Sequence, residues 1–180
     1  NKEKNIYTYI RSDYVNNSET LNLLKKYDLK LDNLENESDI DVVLKEIGRR
    51  HNSYDAIKAV ELAREAGFEN ISFDLIYGLP GESLQGFKKG IDFALSLYPN
   101  NLELFCLSVL PGTDLADRAD DLHLNYQKEP PYHVINTNLF SEKDMKIAKE
   151  ISNACIFFYN QGRAVAQGFK KTFKKSEKTP

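Results

Sequence analysis

Two glycine-proline turns are where the backbone of this chain could do chemistry. Gly78-Leu79-Pro80-Gly81 follows the apolar run 71–77, and Leu110-Pro111-Gly112 closes a second apolar run, 102–110. Glycine permits backbone angles that other residues resist and lets a planar ligand approach the main chain. Proline stiffens the turn. The amides that open a helix just beyond such a turn can meet a polar ligand group. Ile76 and Gly78 at the first turn, and Leu110 and Gly112 at the second, are therefore candidate cofactor-binding residues. The plainer alternative is a strand-to-helix connection that holds no ligand, which is common in α/β units.

A second group is Arg11, Asp13, Glu35, Glu37 and Ser38, expected at the ends of the first two strands. In a parallel sheet those ends share an edge with Gly78 and Gly112. Carboxylates there can bind ribose hydroxyls or an amino group, and an arginine can clamp a carboxylate; the alternative is a solvated acidic loop. Arg49-Arg50-His51 offers two cations and a titratable ring, but favourable charge at a helix C-terminus explains it better. Asp74 is unusual inside an apolar strand, because a buried carboxylate needs partners. It either faces a barrel lumen or bonds a neighbouring amide. Cys106 also lies in a strand, where packing is its ordinary role. Tyr126, Tyr132 and His133 either line a pocket or stitch a loop down.

The elements that would position these residues alternate. Run 6–11 is β-rich, and Ser18 caps a helix with Leu21, Leu24 and Tyr27 at helical spacing. Run 29–34 is a weaker strand, and a short helix over 40–47 ends at Gly48. Ser53 caps the clearest helix, with Ile57, Val60, Ala63 and Ala66 on one face and Gly67 as its stop. Strand 71–77 leads to a helix from Ser83 with Leu84, Phe87, Ile91, Ala94 and Leu95 inward; strand 102–110 leads to a short helix from Thr113. Stretch 124–140 has no periodicity and reads as a long loop. Ser141-Glu142-Lys143-Asp144 is a capping-box pattern opening a helix with Ala148, Ile151, Cys155 and Phe158 on one stripe. Residues 170–180 hold five lysines and read as a flexible basic tail. Strand-helix alternation repeated four times predicts four parallel strands in chain order.

The totals bound the rest. The 180 residues suffice for one ordinary core. A net charge of −3 gives no electrostatic case for nucleic acid, and no apolar run reaches the length of a membrane span. No signal peptide is read at the start. Two cysteines, Cys106 and Cys155, cannot by themselves hold an iron-sulfur cluster or a structural zinc, so a reducing, cytoplasmic setting is expected.

The stretch from Leu44 through Arg49-Arg50-His51 to Asp74-Leu75-Ile76-Tyr77-Gly78-Leu79-Pro80-Gly81 resembles radical S-adenosylmethionine (radical SAM) enzymes. It is most similar to the oxygen-independent coproporphyrinogen oxidase-like group and to the group carrying a cobalamin-binding domain. Arg11-Ser12-Asp13 and Glu37-Ser38 are similar to short patterns of the cobalamin-linked group, with Glu35 where that group has glycine. Leu107-Ser108-Val109-Leu110-Pro111-Gly112-Thr113 resembles its sixth-strand motif, and the stretch with Pro130-Pro131-Tyr132 and the helix from Ser141 resemble its C-terminal part.

The resemblance implies a six-stranded partial TIM-like barrel, of which residues 1–122 supply strands three to six, followed by a loop and helix over 123–169. It implies a 4Fe-4S oxidoreductase whose full-length form generates a 5′-deoxyadenosyl radical from S-adenosylmethionine, with cobalamin as a further cofactor. By the same resemblance, Glu37 and Ser38 hold the ribose or amino group and Arg11 orients the methionine carboxylate. The backbone at Ile76, Gly78, Leu110 and Gly112 flanks the adenine. The three-cysteine motif and the strand-two glycine-rich motif of the family are absent. The expectation is thus a chain that lacks the N-terminal half of the barrel, binds none of these cofactors alone, is inactive in isolation and self-associates through its first strand or its open lumen. A degenerate relative, or a small non-catalytic α/β binding module, is the alternative.

Overall fold

The computed structural model describes residues 6–11, 29–35, 53–68 and 70–162, with backbone only at 6–11, 29–35 and 53–55. The expected helices near Ser18 and over 40–47, the residues Asp13, Glu37, Ser38 and Arg49-Arg50-His51, and the basic tail lie outside these residues.

Four strands form one parallel sheet: β1 (Ile6–Arg11), β2 (Leu29–Glu35), β3 (Ser72–Tyr77) and β4 (Asn101–Cys106). Their order across the sheet is their order along the chain, as the alternation predicts. Helix α1 (Ser53–Glu65) precedes β3 and helix α2 (Leu84–Ser96) follows it. Ser83 caps α2 by accepting a hydrogen bond from the Gly86 amide at 3.2 Å, which satisfies one donor that a helix start leaves open.

Phe73, Leu75 and Tyr77 of β3 lie beside Leu102, Leu104 and Cys106 of β4. All but Cys106 are buried, and they face the helices. The Tyr77 and Phe87 rings meet at 5.4 Å, and Phe87 packs in turn on Phe140 at 6.5 Å. Phe87, Ile91 and Ala94 of α2 are buried, while Leu84 and Leu95 are half-buried at the margin of the core.

Beyond β4 the chain changes partners. A short helix α3 (Asp114–Asp117) follows, capped by Thr113. The stretch expected to be an irregular loop contains a small antiparallel pair, β5 (Asn125–Tyr126) with β6 (Val134–Asn136). Strands of two and three residues are too short to display a twofold period, so the sequence pattern hides them. Run 102–110 is extended throughout, but its ladder with β3 ends at Cys106. From there Val134 N donates to Leu107 O and Val109 N donates to Tyr132 O, both at 2.9 Å, around a bridge between Ser108 and His133.

Helix α4 (Glu142–Ala154) opens on the expected capping box of Ser141 and Asp144. Val134, Phe140, Met145 and Ala148 share one core with the sheet. The stripe expected to continue to Phe158 does not, because residues Cys155–Gln161 form a π-helix. Its wider turn breaks the 3.6-residue phase. Phe158 is 66% exposed, and Tyr159 turns inward, its hydroxyl donating to Pro99 O at 2.6 Å.

Candidate functional site

Gly78 to Gly81 and Leu110 to Gly112 sit past the C-terminal ends of adjacent parallel strands, the edge where ligands bind in such sheets. In the first turn Glu82 N donates to Leu79 O at 3.2 Å; in the second Thr113 N donates to Leu110 O at 3.4 Å. Each has proline second and glycine third, with Gly81 at φ +77 and Gly112 at φ +78. That is the signature of a type II turn. A Cβ at Gly81 or Gly112 would find nothing within 4 Å, so both turns border open space. Leu110 is 51% exposed beside them.

The sheet face away from the helices carries Ser72, Asp74 and Ile76 on β3, in register with Asn101, Glu103 and Phe105 on β4. Phe105 is 46% exposed while its neighbours Leu104 and Leu102 are buried; on the same face Ser72 is buried and the Asp74 Oδ1 atom is enclosed, so this face is open only toward the strand ends. Asn101 Nδ2 donates to Glu103 Oε1 at 3.2 Å. Register carries the middle row across the sheet: Arg11 beside Glu35, Glu35 beside Asp74, Asp74 beside Glu103. Of the sequence candidates, Ile76, Gly78, Leu110 and Gly112 stand at the strand ends, and Arg11 holds a register position in this row. Glu37 and Ser38 lie outside the described residues. Asp74 was legible as an oddity, and Glu103 was missed. The signal for Glu103 was there: it keeps the same alternation as Asp74 one strand later.

Gly78 differs from the other two glycines. At φ +85, a Cβ there would lie 3.0 Å from Met145 Cε. Its side-chain space is therefore filled by protein, and a ligand must approach that backbone from another side. Tyr126, Tyr132 and His133 take part in contacts that tie their segment down. Lys128 Nζ sits 3.8 Å over the Tyr126 ring, Tyr132 O accepts from Val109 N, and His133 O accepts from Gln127 N at 2.9 Å.

Burial pushes both thiols up, and Cys106 Sγ donates to Leu107 O and Val134 O, both at 3.7 Å. Among the described residues no three metal-ligating side chains gather, and none of the helices is long and apolar enough to cross a membrane.

The Radical SAM superfamily model matches residues 1–94. Among curated proteins, the heme chaperone HemW of Bacillus subtilis is 45% identical over 73 residues, covering 41% of this chain and 19% of that protein. The oxygen-independent coproporphyrinogen-III oxidase-like protein HemZ of the same organism is 37% identical over 97 residues, covering 54% and 19%. The chain thus spans about a fifth of the length of these relatives. Among solved structures, coproporphyrinogen III oxidase HemN of Escherichia coli, a radical SAM enzyme, superposes with TM-score 0.63 at 19% identity, over 90% of this chain and 33% of that one. The methyltransferase TsrM of Kitasatospora setae, solved with cobalamin and a [4Fe-4S] cluster, gives 0.57 at 17% identity, over 73% and 27%. These last two show the fold alone. The two curated relatives lie on the HemW and coproporphyrinogen oxidase side, so the cobalamin-linked subgroup expected from the short motifs gains no support from them.

Proposed function

The chain belongs to the radical SAM superfamily, and from that premise we propose that it forms strands three to six of a radical SAM barrel and the adenosyl-facing part of its cofactor site. The observation that carries this is the pair of matching type II turns past adjacent parallel strands, β3 and β4, both bordering open space. The treatment of the outer edge of β4 supports it as well. Asn160 bonds both Leu102 N and Leu102 O, at 3.0 and 2.9 Å, and Ser152 Oγ donates to Leu104 O at 2.7 Å. An edge closed by side chains is what the last strand of an open barrel needs.

The residues fit S-adenosylmethionine in part. Asp74 is a half-buried carboxylate on the sheet face away from the helices, suited to a diol or an ammonium group. The main chain from Ile76 to Gly78 and from Leu110 to Gly112 offers a flat approach for an adenine. Glu37, Ser38 and Arg11 complete the set as ribose and carboxylate ligands. A four-iron cluster does not fit: the sequence has two cysteines, on β4 and in the π-helix, both with raised thiol pKa. Its ligands belong, on this reading, to residues beyond the 180 of this chain. S-adenosylmethionine, when bound, supplies the family's radical chemistry. The part of this chain is to hold and orient the nucleoside and to keep water from it.

The test is S-adenosylmethionine affinity, by equilibrium dialysis, of the natural protein that contains these residues. Asp74→Asn should weaken it about tenfold, as expected for loss of a charged hydrogen bond. Exposed Glu65→Gln, at the end of α1 that leads into the start of β3, should not. Equal affinity in the Asp74 variant, or no binding by the unaltered protein, overturns the reading.

A further inference from the structure

Three glycines with positive φ stand at the proposed cofactor edge, and their surroundings divide them. Gly81 and Gly112 have nothing within 4 Å of a Cβ. At Gly78 a Cβ would meet Met145 Cε at 3.0 Å, Met145 Sδ at 3.1 Å and Val134 Cγ1 at 3.6 Å. Met145 is the chain's one methionine, buried on α4, and Val134 is buried on β6. The thioether of α4 therefore rests directly on the main chain at the end of β3. Backbone hydrogen bonds run through the same spot. Leu107 N donates to Tyr77 O at 3.0 Å, and Val134 N donates to Leu107 O at 2.9 Å. The ends of β3, β4 and β6 are tied in one line immediately before the turn.

We propose that Met145 is a positioning residue: seated in the notch that Gly78 leaves, it fixes the main chain of the turn at residues 78–81 for the adenosyl group of S-adenosylmethionine. The inference rests on the function proposed above and adds to it what holds the turn. Methionine suits the task. Its unbranched, polarisable side chain fills an irregular gap, and only glycine lets a sulfur and a methyl come this close to a backbone. Gly78 thereby serves two ends, a left-handed turn and a seat for α4. The ligand meets the turn on the side away from Met145.

The experiment is a two-by-two set of variants in the natural protein, with S-adenosylmethionine affinity by equilibrium dialysis and thermal midpoint measured on each. Met145→Ala should raise Kd about tenfold at a temperature well below its own midpoint, because a loosened shell misplaces the group it holds. Met145→Leu, close in volume, should restore affinity. Gly78→Ala should weaken binding in the unaltered background. It should cost several-fold less in the Met145→Ala background, where its methyl enters vacated space. If Met145→Ala does not fold, Met145→Val replaces it with the same expectations. An unchanged Kd in the folded truncation, or strictly additive effects of the two substitutions, overturns the positioning role while leaving the cofactor site in place. An unaltered protein that does not bind the cofactor overturns both.

Discussion

Tyr77 and Cys106 are register partners on the helix-facing side of the sheet. Burial, reinforced by the neighbouring Cys106, pushes the Tyr77 hydroxyl from its ordinary 10 up to about 12. Between those values the folded chain keeps a proton that the unfolded chain has lost. Stability must fall as pH rises from 10 toward 12 and be indifferent to this group below 10. Tyr77→Phe should flatten that alkaline limb in urea melts, and an unchanged slope would count against the assignment. The raised thiol of Cys106 should also react slowly with iodoacetamide at pH 8, since the thiolate is the nucleophile; alkylation as fast as in urea would contradict this. The residue scale was the hardest to read from sequence. Gly78 was legible as a glycine that a turn requires, but not as the seat of Met145. That contact joins residues 67 apart in the chain, and no local pattern encodes it.

At the scale of elements, the C-terminal segment matters more as an edge cover than as a helix. Ser152 is buried and donates to Leu104 O, and Asn160 answers both polar groups of Leu102. Removing either side chain strands a backbone group on β4. Ser152→Ala and Asn160→Ala should therefore each cost about 1–3 kcal/mol in chemical denaturation; a loss below about 0.5 kcal/mol for both would show that water replaces them readily. The long helices were legible because apolar residues recur at their period and Ser83 and Ser141 mark their starts. The π-helix was not, since its side chains continue the helical pattern on paper until Phe158 is found outside. Strands β5 and β6 escaped for want of length.

The whole molecule followed from alternation: strand and helix in turn give a parallel sheet, and the observed order obeys it. Composition alone did not show that Phe105 would stand half-exposed on the sheet face away from the helices, the face that also carries Asp74 and Glu103. Among the described residues no strand pairs with the outer side of β1. An unpaired edge recruits other chains, and an exposed apolar patch favours association. The 180-residue chain on its own should therefore self-associate at micromolar concentration in sedimentation velocity. On the barrel placement proposed above, addition of a polypeptide carrying strands one and two should return it to a one-to-one complex. A clean monomer, with β1 amides protected from exchange, would overturn this.

The side chains of Ser152 and Asn160 also decide where this sheet accepts a graft. A β-strand fused behind Gly162 finds the near rim already occupied and has to remain outside. One fused ahead of Ile6 meets the side of β1 that no strand among the described residues pairs with. Growth of this sheet is therefore favoured from the amino-terminal side, while a segment added after Gly162 would have to displace Ser152 and Asn160 before it could pair with β4.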